Sequence, residues 1–167
     1  MTDRSHPHDD LDHASTLEPE DPLTAFFGEL NSIYTRQQAI KDGILVDVSQ
    51  WAGCGPEAML GGFTVPVAIT RALWGVIDLD DTDGRPDAES ARWQALARQR
   101  GESTRGRAHD VLWMLRVAVE RHPQQDRLRY PVLMTVEGKG GRLVRKRLTV
   151  EAVLDGDGVT IGFPEDF

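Results

Sequence analysis

The last third of the chain alternates between apolar and polar residues. In YPVLMTVEG (residues 130–138), Val132, Met134 and Val136 fall on one side, and GKGG (138–141) supplies a turn. RLVRKRLTVEAVL (142–154) alternates again, with Val144, Leu148, Val150, Ala152 and Leu154 on one face and Arg145, Arg147 and Glu151 on the other. DGDG (155–158) is a second turn before VTIGF (159–163). A period of two broken by glycine-rich turns specifies strands, so this third is a three-stranded antiparallel meander.

Upstream the period is helical. Asp21, Pro22, Leu23, Phe26, Phe27 and Leu30 carry the cap, first-turn proline and spacing of a helix. Thr35 and Gln38 form a capping-box pair, Gly43 ends that short helix, and ILVDV (44–48) reads as a strand. Residues 51–62 hold too many glycines for a regular element and read as a loop. TVPVAITRALWGVI (64–77) predicts a helix led by Pro66, with Ile69, Ala72, Leu73, Val76 and Ile77 on one face. A further helix is expected over 88–100, with acids at its start and arginines at its end. GRAHDVLWMLRVAVERHP (106–123) is apolar on nearly all sides between Val111 and Val119, as for a buried central helix. Helices followed by a meander imply an α+β fold, with N-terminal helices and one short strand ahead of the central helix and the three-stranded meander. Residues 1–20 are His-, Asp- and Pro-rich and predict a disordered acidic tail, which leaves residues 21–167 as a single α+β domain.

Composition narrows the function classes. The single cysteine among 167 residues excludes an internal disulfide framework and argues against a cysteine zinc site. No apolar run approaches the ~20 residues that span a bilayer, and the polar, acidic start is the reverse of a signal peptide. A soluble, cytoplasmic protein without a membrane partner is expected. The net charge of −8 is unevenly spread. Residues 1–91 hold 17 acidic and 5 basic side chains, whereas residues 92–147 hold 14 basic and 5 acidic. Such segregation marks either solvated surfaces or a footprint for a charged partner.

WGVIDLDDTDGRP (74–86) most resembles a catalytic motif. Asp78-x-Asp80-x-Thr82 after an apolar run matches the opening signature of haloacid dehalogenase phosphatases, in which the first Asp attacks phosphorus. That chemistry needs Asp78 at the end of a buried parallel strand, but the preceding spacing is helical. The later acid pair is also missing, since Ile161 stands four residues after Asp157. The match is read as a helix terminus meeting a turn, and the protein as not an enzyme. A calcium loop aligned on Gly84 loses its first and last ligands, Leu79 and Ser90 standing there, so no metal or cofactor is expected. His109 and Asp110 are adjacent on a helix and point about 100° apart, which does not make an orienting pair. Ser103 and Thr104 read as caps, and Cys54 as a passive small residue.

Two charged surfaces remain. Asp78, Asp80, Asp81 and Asp83 form an acidic loop able to meet a protein partner. Arg98, Arg100, Arg105 and Arg107 cluster around a helix end, and Arg142, Arg145, Lys146 and Arg147 crowd one strand, where they could track phosphates of nucleic acid.

SIYTRQQAIKDGILVDVSQWA, GFTVPVAITRALWGVI and GRAHDVLWMLRVAVER together resemble a family of small uncharacterised bacterial proteins, a domain of unknown function. Its members recur on plasmids, phages and integrative elements. The resemblance covers roughly residues 32–121, the hairpin matching in pattern only. It implies a mobile-element setting and an accessory role in maintenance, transfer or evasion of host defence. The expected function is therefore non-enzymatic binding to an unidentified host protein complex, in its sharper form inhibition of an anti-CRISPR or anti-restriction type. The alternative is a nucleic-acid-associated accessory protein using the arginine-rich segments 98–107 and 142–147.

Overall fold

In the computed structural model, residues 34–53, 62–80 and 88–167 are described, with the side chains of 88–91 left aside. The acidic tail, the helix expected from Asp21, Cys54, and Asp81, Thr82 and Asp83 lie outside the described residues.

Helix α1 (Arg36–Lys41) starts at the expected capping box, Thr35 accepting from Gln38 N while the Gln38 side chain accepts from Thr35 N. Gly43 follows at φ 73°, and β1 (Leu45–Asp47) begins at once. A single turn, α2 (Ser49–Ala52), occupies the start of the expected loop. The helix predicted over 64–77 divides in two. Val67–Thr70 is strand β2, buried at all four positions, and only Arg71–Ile77 is helical, as α3. A strand covered on both faces shows no alternation, and four apolar residues run into a helix are indistinguishable from its first turn. Ile69 therefore sits on the strand and Ala72 is exposed, while Leu73, Trp74 and Ile77 form the buried face of α3. Thr70 closes the strand and caps the helix, its Oγ1 accepting from Leu73 N.

Helices α4 (Ala88–Gln99) and α5 (Thr104–Arg121) follow, the latter capped by Ser103. The meander is present as β3 (Arg127–Glu137), β4 (Leu143–Asp155) and β5 (Gly158–Gly162). The five strands make one sheet in the order β1-β2-β5-β4-β3, antiparallel except for β2 against β5. The fold is thus α+β, with the meander extended by two upstream strands. One sheet face, bearing Leu128, Tyr130, Val132, Met134, Val150, Ala152 and Ile161, packs on Ala108, Val111, Leu112 and Leu115 of α5 and on α3. Helix α5 covers this core with one side only. Trp113 on its other side is 48% exposed, so apolar content all round did not mean burial all round.

The parallel β2–β5 contact depends on one glycine. Gly158 has φ 141°, and a Cβ there would stand 2.4 Å from the Pro66 carbonyl oxygen, which accepts from Val159 N. A Gly158→Ala variant is expected to lose about 2–4 kcal/mol, combining backbone strain with a clash that neither strand can relieve. Urea unfolding followed by circular dichroism measures this directly.

Candidate interaction surface

The acidic loop begins inside a hydrogen-bond junction. Asp78 caps α3 through its N–H to Trp74 O (2.8 Å). Its carboxylate accepts from Trp74 Nε1 (3.1 Å), from Asp80 N (2.8 Å) and from Thr104 Oγ1 (3.1 Å). Thr104 Oγ1 also accepts from Leu79 N, and its proton is shared between Asp78 and Asp80. Arg98 donates to Leu79 O (2.7 Å) and to Asp80 Oδ1 (3.0 Å). The junction therefore ties the end of α3 to the start of α5 and to α4. The bond from Thr104, then that from Arg98, holds the Asp80 carboxyl below the usual aspartate range. Asp80 keeps 65% of its side chain exposed, whereas Asp78 is half-buried.

The candidate arginines separate into two kinds. Arg107, expected on a basic surface, is 4% exposed and structural. It pairs with Glu102 (3.1 Å), donates to Val76 O (2.7 Å) and to Thr135 O, and lies over the Trp93 ring at 5.4 Å. Burial pulls its pKa down from the ordinary arginine value, and Glu102 opposes that. Arg98 serves the acidic junction. Arg100, Arg105, Arg142, Arg145, Lys146 and Arg147 are exposed. Strand parity puts Arg145 and Arg147 on the outer sheet face, away from α5, and Lys146 on the opposite face.

Sequence reasoning overlooked Arg127 and Arg129, which share that outer face. Both are bonded to Glu151, Arg129 standing directly across from it in the β3–β4 register. Alternation sets Glu151 on the face opposite the apolar residues of β4. It does lie on the outer face, but its side chain is fully covered. The arginines roof it, and Arg127 in turn lies 5.7 Å from the centre of the Phe167 ring. An alternating Arg-x-Arg opposite a Glu was the available signal, and only the register turns it into a cluster.

The distal half of the hairpin stands beyond the rest of the sheet. β5 pairs with β4 only from Glu151 to Asp155, so residues 143–150 of β4 have β3 as their one strand neighbour. Beside this ribbon is a cavity of about 490 Å³, lined by Ser103, Gly106, His109 and Asp110 at the start of α5 and by Leu133, Thr135 and Arg145. Arg145 and Arg107 meet at this cavity, while Arg142 and Lys146 do not line it. His109 stacks on Trp113, their rings 6.2 Å apart. Among the described residues no histidine, cysteine and carboxylate group of three converges to hold a metal ion, and no described helix is long and apolar enough to cross a membrane.

These features define an α+β domain with an arginine-bearing β-hairpin at the edge of its sheet. A family model matches residues 24–166, and the chain belongs to that family of unknown function, DUF6573. The match runs through the hairpin and so reaches well past residues 32–121. Comparison with curated proteins and with solved structures gives no match.

Two outcomes follow from the geometry. Asp78→Asn places an amide donor against the Trp74 or Thr104 donor and is expected to cost about 1–2 kcal/mol, read by thermal unfolding. Burial works against the charge on Glu151, but its two arginine bonds outweigh this and hold its pKa below the ordinary glutamate value of 4.5. A depressed carboxyl contributes stability that is complete above the unfolded value and lost as pH falls through the folded one. Unfolding curves from about pH 5 down to about pH 3 should therefore show wild type losing stability that a Glu151→Gln variant lacks at every pH.

Proposed function

We propose that the protein is a non-catalytic accessory protein that acts by binding another protein. The observation that carries this reading is the edge of β3, an eleven-residue outer strand with arginines and a cavity beside it. Long open edges present unpaired backbone groups and are used by proteins to recruit an extended partner segment. The resemblance to proteins carried on plasmids, phages and integrative elements extends the proposal to a mobile-element setting, with inhibition of a host defence complex as its sharper form. In this reading Asp78 and Asp80 are first of all parts of the α3–α5 junction. The acidic contact then falls to the exposed side of Asp80 and to Asp81 and Asp83.

A second reading has its own support. Arg145 and Arg147 share the outer face with Arg127 and Arg129 and make no ion pair among the described residues. Such a face suits a nucleic-acid backbone, and binding by that route weakens steeply as salt rises.

An affinity pull-down from host lysate, with and without nuclease, separates the two. A stoichiometric protein complex that survives nuclease is the expected result. Recovery of nucleic acid, or partners lost on nuclease treatment and on an Arg145→Glu/Arg147→Glu exchange, would transfer the function to the basic face.

A further inference from the structure

We infer that the open edge of β3, from Arg127 to Leu133, is a strand-addition site for an extended acidic segment of a protein partner; this rests on the protein-binding reading above.

The hydrogen-bond register identifies which backbone groups are available. Antiparallel pairs alternate, so every second residue of an edge strand turns its N–H and C=O away from the sheet. At the two ends of the β3–β4 ladder, Gly138 N donates to Arg142 O and Leu154 N to Asp126 O, each at 2.7 Å. Even-numbered residues of β3 therefore bond to β4, and Arg127, Arg129, Pro131, Leu133 and Thr135 face outward. The outward carbonyl of Thr135 is taken by the Arg107 guanidinium, which closes the open stretch after Leu133. Pro131 falls on an outward position, where its missing N–H costs the ladder nothing. Among the described residues nothing bonds to the outward N–H of Arg129 or of Leu133.

Side-chain chemistry selects the occupant. An added strand alternates its side chains between the two sheet faces. On the outer face it runs past half-exposed Leu133, with Arg147 directly across on β4 and Arg145 across from Thr135. Neither of these arginines has an ion pair among the described residues, so acidic side chains on that face gain most. The cavity reaches around the edge from Leu133, Thr135 and Arg145 to the start of α5, where His109, stacked on Trp113, offers a surface for an apolar or aromatic side chain. The fitting segment is extended, with acidic residues at alternate positions and apolar ones between them.

The probe is a displayed library of short peptides with that pattern, screened against the full chain. Enriched peptides are then examined by amide hydrogen exchange. Protection of the Arg129 and Leu133 amides on binding is expected, while Tyr130 and Val132 are protected with or without peptide. Leu133→Pro removes one outward donor and leaves the β4 ladder whole, so affinity should fall about tenfold with little change in Tm. Leu133→Ala keeps the donor and should lose less.

A library that yields no binder overturns the site. So does a bound peptide that leaves the Arg129 and Leu133 amides exchanging freely, and in that case the protein-binding reading itself survives. Protection of the same amides that grows with protein concentration alone assigns the edge to a second copy and overturns the acidic partner. Peptide-induced protection combined with no nuclease-resistant complex in the pull-down keeps the site and removes the proposed function.

Discussion

The Arg107 guanidinium fastens three helices and the edge of the sheet at one buried point. From the second turn of α5 it reaches the last turn of α3 at Val76 O, the edge of the sheet at Thr135 O, and Glu102 ahead of its own helix. Its flat face rests against Trp93 of α4. A buried guanidinium is tolerable only when its donors are all engaged, because an unsatisfied charge out of water costs several kcal/mol. The same engagement makes the residue demanding of its surroundings. Three helices and β3 must be in place together for it to be satisfied. The second apolar cluster of Leu79, Trp93 and Ala97, with Leu143 packed against it, includes the tryptophan on which the guanidinium rests.

Charge is handled differently on the outer sheet face. There Glu151 takes two arginines and disappears beneath them, which leaves a surplus of positive charge along the ribbon. The ribbon has β5 beside it only up to Glu151, and beyond that point the helices pack on its inner face while its outer edge is open. The result is an edge and a face whose hydrogen-bonding and ionic capacity the described residues do not consume. The acidic loop is the opposite case at its start, since Asp78 and Asp80 spend their oxygens on Trp74, Thr104, Arg98 and a backbone amide. A cluster of like charges in sequence is thus a poor guide to free charge. Asp78 and Arg107 were both read as surface contacts, and both are fastenings.

Much of the architecture was legible in local signals. The Thr35–Gln38 capping box, the stop at Gly43, the Ser103 cap, α4 and the three strands of the meander follow from short-range rules of spacing and turn chemistry. Those rules act within a few residues, which is why one sequence suffices to read them. Strand β2 escaped because burial on both faces erases alternation. The roofed Glu151 escaped because pairing partners from 22 and 24 residues away leave no periodic trace.

The sequence by itself therefore determined which segments alternate, which coil, where they stop, and that the fold is α+β. Only the tertiary structure decided that β2 joins the meander in parallel, that one side of α5 is wet, and that Arg107 is buried while Arg145 is not. The physical reason is that local conformation depends on neighbours along the chain. Burial and the pairing of charges depend on neighbours in space, and these exist only once the sheet and helices have met.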